Sequence, residues 1–165
     1  MANPIADLIV NFQELVSNVP DAVQPLVVAL AGAIPFIEGE GSAAIGIVGG
    51  IHPVVAALAG AAGNFLCVAV LVLLGSRIRA AATAGKDASA PSPRREKFQK
   101  AFTRYGVPGV SLLGPLLLPT QFTAVMLVGA GVAKGRVLLW QAVAIAGWTT
   151  IITLIITGVI RGAGA

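Results

Sequence analysis

The sequence predicts an all-α integral membrane protein, built as an inverted repeat of amphipathic helix, re-entrant broken-helix hairpin and full transmembrane helix. Three observations predict it. Of 165 residues, 56% are hydrophobic and 11% charged, where an average soluble domain carries about 25% charged residues. Two apolar tracts, residues 53–75 and 137–160, are long enough to span a bilayer. Each follows a shorter apolar stretch interrupted by proline and polar residues, a pairing expected of transporters.

Residues 1–19 come first. Ile5, Leu8, Ile9, Phe12, Leu15, Val16 and Val19 share one helical face, so the segment is expected to lie as an amphipathic helix in the membrane interface. Pro20 ends it. The first repeat covers 20–76, with a re-entrant hairpin over 20–50 and a transmembrane helix over 53–76. Residues 22–36 reach only about 22 Å as a helix, short of a hydrocarbon core about 30 Å thick. Pro35, Gly39 and Gly41 argue against one continuous helix. Glu38 and Glu40 are expected at the tip of the break. Carboxylates so deep in an apolar tract line a cavity or a pathway as a rule, and non-helical backbone at that depth needs protein or water around it.

The span that follows is rich in small residues from Ala56 to Gly63, which let helices approach closely in lipid. Asn64 is its one strongly polar residue and is read as an interhelical hydrogen-bonding group. Residues 77–105 form a basic linker and surface helix, with Arg77, Arg79, Lys86, Arg94, Arg95, Lys97, Lys100 and Arg104. The second repeat covers 106–165: a re-entrant hairpin over 107–133, broken at Pro119, Thr120 and Gln121, then a transmembrane helix over 136–161.

A shift of 80 residues places Pro35 on Pro115, Ala44 on Ala124, Val48 on Val128 and Gly49 on Gly129, and four further residues bring Gly63 near Gly147. Basic residues mark cytoplasmic loops, so the 77–105 loop is expected to face the cytoplasm. Lys134 and Arg136 join it there if the second hairpin re-enters and returns. Nothing basic precedes Arg77, so both ends of the first hairpin can lie outside. The two halves then have opposite orientation.

Several classes are excluded. The net charge of +4 comes mostly from one loop, without the basic and aromatic surface of a nucleic-acid binder. One histidine, His52, and one cysteine, Cys67, allow neither a metal cluster nor an internal disulfide. No G-x-S-x-G or H-E-x-x-H pattern occurs, and Ser111 has no histidine to activate it. No catalytic residue and no cofactor is expected. A basic signal-peptide n-region is absent; Asp7 and Glu14 stand near the start.

The chemistry therefore rests on the two breaks. Each brings a helix N-terminus, with its partial positive charge, to mid-membrane. Ser42 and Thr120 are expected to cap the second half-helices, with Gln121 beside Thr120. Glu38 and Glu40 oppose an anion and attract a cation, and at least one is expected to exchange a proton during transport. Glu38, Glu40, Ser42, Thr120 and Gln121 make up the expected substrate and proton path.

The segments IPFIEGEGSAAIGI, AGN at 62–64 and RYGVPGVSLLGPLLLPTQFTA resemble the small multi-drug export protein family, itself similar in architecture to the DedA membrane-protein superfamily. The resemblance covers roughly residues 30–160. It implies two opposed re-entrant hairpins in the cytoplasmic membrane of a bacterium, and proton-linked movement of a lipid or polyprenyl-phosphate carrier. Glu38 matches the family's hairpin acid. Arg104 matches its Arg before Tyr-Gly and is a candidate for meeting a lipid head group. Glu40 stands where the family commonly has Arg, and Thr120 and Gln121 stand where DedA relatives carry a basic residue. Expected partners are a membrane lipid or amphiphilic small molecule, protons, and further copies of the chain through Gly/Ala-rich faces. Export of small cationic drugs and a non-transporting scaffold role are the alternatives.

Overall fold

In the computed structural model, residues 4–83 and 106–163 are described. Every regular element among them is helical. In chain order these are α1 (Pro4–Asn18), α2 (Gln24–Gly32), α3 (Glu38–Val48), α4 (Pro53–Thr83), α5 (Val107–Leu113), a 3₁₀ turn at Gly114–Leu116, α6 (Thr120–Gly129) and α7 (Lys134–Ala163). The chain divides into two compact units. The first holds Met1–Cys67 and Ile145–Ala165, the second Val68–Ala144. The first unit thus contains the short helices α1, α2 and α3, the second α5 and α6, and each holds part of both long helices.

In the first unit, α2 opens with Pro25 in its first turn, where a missing N–H costs nothing. It stops at Gly32, and Pro35 prevents continuation. The chain then doubles back. A Cβ on Gly46 would touch Val28 at 3.0 Å, and one on Gly32 would touch the Ser42 hydroxyl at 3.1 Å. The late part of α3 therefore lies beside the early part of α2, which makes an antiparallel hairpin.

The break is tighter than the sequence suggests. It occupies residues 33–37, and Gly39 and Gly41 lie inside α3. The kink is built from Pro35 and two left-handed non-glycine residues, Phe36 at φ 71° and Glu38 at φ 54°, a backbone state that costs an L-residue about 1–2 kcal/mol. Helix propensity misjudges Gly39 because packing overrides it. Without a side chain there, α3 lies against Ala61 of α4 and Thr149 of α7. Glu38 and Glu40 sit in the first turn of α3, directly after the break.

Gly50, at φ 90°, ends α3. The Ile51 N–H donates to the Gly46 carbonyl at 2.9 Å and the Gly50 N–H to that of Ile47 at 3.1 Å, the paired closure that a left-handed glycine permits. The same closure ends α6. Gly131 has φ 94°, Val132 donates to Leu127 at 3.1 Å and Gly131 to Val128 at 2.9 Å.

The core of the first unit joins Val16, Val27, Val28, Ala31, Ile37, Ile45 and Ile51, with Leu8, Ile9, Phe12 and Val19 of the N-terminal segment packed on it. The apolar face expected to lie in the membrane interface is turned largely inward onto the α2–α3 hairpin. Leu15 alone among those positions is exposed, and the Ile5 side chain lies outside the description. In the second unit, α6 packs on α5 and on the 3₁₀ turn, and Val128 of α6 would meet a Cβ on Gly75 of α4 at 3.7 Å.

The two long helices pass the length test for membrane crossing. Pro53–Ile78 within α4 has 26 residues and α7 has 30, about 39 and 45 Å at a rise of about 1.5 Å per residue. Their most apolar windows are only 28% and 22% buried, so neither is the enclosed helix of a soluble core. Leu58, Leu66, Leu73 and Ile78 of α4, and Leu139, Ile151, Leu154 and Val159 of α7, point outward. The shorter helices cannot span; α3, with 11 residues, is about 16 Å long. The first long helix does not stop at Ser76 as expected but continues to Thr83, carrying the exposed Arg77. The second starts at Lys134 and runs to Ala163, beyond both ends of the expected 136–161.

Candidate functional site

Two polar clusters interrupt the apolar interior, one in each unit.

The first is built on α3. Glu38 is its first residue and is only 4% exposed. Its own N–H is held by the Ile34 carbonyl at 3.1 Å, and the Gly41 N–H by that of Ile37 at 2.9 Å, so the backbone presenting the two acids is fixed. Glu40 is half-buried. Ser42, fully buried, donates from Oγ to the Gly39 carbonyl at 3.1 Å. It is not the cap expected of it: the residue before the helix is Ile37, which offers no side-chain bond. Ser42 marks instead the point where three helices meet. A Cβ on Gly60 of α4 would run into Ser42 Oγ, and would lie 2.8 Å from the Gly39 carbonyl oxygen. One turn later along α4, Asn64 is fully buried, and Gly63 presses on the carbonyl of Ala29 in α2. The small face seen in the sequence therefore accommodates backbone at contact distance, with Asn64 on the same side. Thr149 of α7 brings its hydroxyl against Gly39 and is 2% exposed.

The second cluster is built on α6. Thr120 and Gln121 are its first two residues, both buried. Thr120 is likewise inside the helix and not its cap; that position belongs to Pro119, whose φ of −52° and ψ of 145° turn the chain into α6. Thr120 Oγ1 donates to Gln121 Oε1 at 3.4 Å. Thr123 Oγ1 donates to the Thr120 carbonyl at 3.0 Å and accepts from Gln141 Nε2 of α7, also at 3.0 Å. Gln141 is fully buried and its Oε1 finds no partner among the described residues; the same holds for Ser111 Oγ on α5.

Thr123, Gln141 and Thr149 were not among the expected site residues. A signal existed: each is polar within a tract otherwise suited to lipid, the criterion that singled out Glu38. Arg104 and residues 84–105 lie outside the described residues. His52, at the start of α4, accepts the Val54 N–H on Nδ1 at 3.3 Å and is exposed. Among the described residues no group of three His, Cys, Asp or Glu side chains stands ready to hold a metal.

The two clusters differ in chemistry. The first offers carboxylates and hydroxyls at a helix start, and the basic residues of its unit reduce, among the described residues, to the exposed Arg161. It suits a proton or a cation. The second offers neutral amides and hydroxyls, which hydrogen-bond without a net charge. Comparison with protein-family models, with curated proteins and with solved structures returns no match.

Proposed function

We propose that this chain is a membrane transporter that couples proton movement to passage of an amphiphile, such as a polyprenyl phosphate or another lipid. The observation that carries the proposal is Glu38. It is an acid 4% exposed, at the first residue of a helix too short to cross a bilayer, on backbone in a costly left-handed state. Strain of that kind clusters at functional sites, and a carboxylate at bilayer depth marks an ion or substrate path more often than a structural role.

The outward apolar faces of α4 and α7 support insertion in a membrane. On this reading α2–α3 and α5–α6 are re-entrant hairpins from opposite faces, and the 77–105 loop is cytoplasmic. An internal repeat is supported by one recurring spacing. Gly50 and Gly131, Pro53 and Lys134, Ser42 and Thr123, and Gly60 and Gln141 are each 81 residues apart and occupy like places in their units. That register is one residue longer than the shift of 80 read from the sequence, and pairs the packed Gly63 with the buried Ala144. It agrees with the arrangement implied by the likeness to small multi-drug export and DedA-type proteins. Association of copies through small residues on the outer face of α7 belongs to the same reading.

Glu38→Gln and Glu40→Gln test it. Cells that depend on this chain should lose resistance to antibiotics that bind lipid carriers when Glu38 is neutralised. Two silent variants would end the coupling idea. A second reading, export of small organic cations, is favoured by the two carboxylates, Glu38 and Glu40, in the first turn of α3. It predicts sensitivity to cationic drugs with carrier-antibiotic resistance unchanged. Full function with Leu at both positions would leave a scaffold role.

A further inference from the structure

The inward edge of α7 in the first unit is lined by hydroxyls. Thr149, Thr153 and Thr157 follow at four-residue spacing, along the i±4 row that winds slowly about a helix. The hydroxyl oxygen of each is buried, and none finds a hydrogen-bond partner among the described residues. A helical threonine commonly bonds the carbonyl one turn back; these three do not. Buried polar groups are nearly always paired, so three successive exceptions call for partners from outside these helices, and buried water typically bonds such groups.

Burial falls steadily along the row. Thr149 is 2% exposed, Thr153 9%, Thr157 half-buried, and Arg161, next in the same series, is exposed. At the inner end Thr149 Oγ1 meets the first turn of α3, where a Cβ on Gly39 would collide with it. From 149 to 161 the row covers about 18 Å.

We infer that this row is a hydrated file joining the first turn of α3 to the aqueous face at the C-terminal end of α7, and that it carries protons; the inference rests on the proton-coupled reading above. A hydroxyl both donates and accepts. As it takes a proton from one neighbouring water it releases its own to the next, so each hop makes one O–H bond and breaks another, with charge conserved. Among the described residues of this unit the titratable groups are Glu38 and Glu40 at the inner end, Arg161 at the outer end, exposed Asp7 and Glu14 on α1, exposed Asp21 and His52 in the turns before α2 and α4, and Cys67 on α4; α2 has none. Of these, the two α3 acids stand where the file ends.

Single cysteines at 153 and 157, and at the outward-facing positions 154 and 155, in a Cys67→Ser background, test it. The protein is placed in vesicles of phosphatidylethanolamine and phosphatidylglycerol and exposed to a small cationic methanethiosulfonate. A thiol in a hydrated file ionises far more readily than one in apolar surroundings, so Thr153→Cys and Thr157→Cys should react about tenfold faster than Leu154→Cys and Ile155→Cys. Equal or slower reaction would overturn the inference. Dye-reported proton uptake gives a second measure. Thr153→Val should reduce it about tenfold and Thr153→Ser should restore it, a pattern that altered packing alone does not produce. Loss of uptake in Glu38→Gln with full uptake in Thr153→Val would discard the file and keep the coupling. Rapid labelling with a silent Glu38→Gln would discard the coupling and keep the file.

Discussion

Gln141 donates from Nε2 to the hydroxyl of Thr123 at 3.0 Å, and this bond ties the long helix α7 to the short helix α6. In the first unit the buried hydroxyl of Ser42 on α3 lies against the backbone of Gly60 on α4. Gln141→Leu should cost about 0.6–1.7 kcal/mol, the range for interhelical hydrogen bonds in membranes. Thr123→Val should cost a similar amount, and the double variant little more than either alone. Thermal unfolding in detergent would measure all three.

Gly63 has the least room of any glycine in α4. Its Cβ position falls on the Ala29 carbonyl, and that oxygen belongs to backbone that cannot swing aside. Gly63→Ala should destabilise by about 1–3 kcal/mol, seen as loss of a monodisperse species in detergent. Gly158→Ala, in open space on α7, should be neutral or stabilising by up to about 1 kcal/mol. Equal effects would mean that α2 and α4 are farther apart than described.

The left-handed residues at the hairpin turn separate stability from function. Glycine at position 36 relieves a conformation that costs about 1–2 kcal/mol for an L-residue. Phe36→Gly should therefore raise thermal stability or leave it unchanged, and on the proposed transporter reading proton uptake should persist. Glu38→Gly relieves the same kind of strain but removes the carboxylate. It should fold at least as well as the parent and fail in the carrier-antibiotic assay, the exchange expected at a strained functional position.

Cysteine labelling of intact cells reads the topology. Asp21→Cys and His52→Cys should be modified from the same side of the membrane, as should Gly106→Cys and Lys134→Cys, with the second pair opposite the first. A split within either pair would overturn the re-entrant reading of that hairpin.

Much of this protein was legible in its residues because long apolar runs and the prolines that interrupt them set the length of each helix. The two long apolar helices, the short broken pair before each and the buried Glu38 all follow from hydropathy, proline placement and the cost of a deep charge. Positions set by contacts between distant segments were not legible. Gly39 and Gly41 suggest a break by propensity, yet both are helical, because Gly39 fits between Ala61 and Thr149. Ser42 and Thr120 suggest caps by residue type, yet each lies within its helix, because the strained turn after Pro35 and the extended Pro119 start those helices without a side-chain cap. The inward placing of Gln141 and of the threonines of α7 also waited on the fold. Their spacing is plain in the chain, but only packing determines which face of a helix is turned inward, and so which hydroxyls are buried.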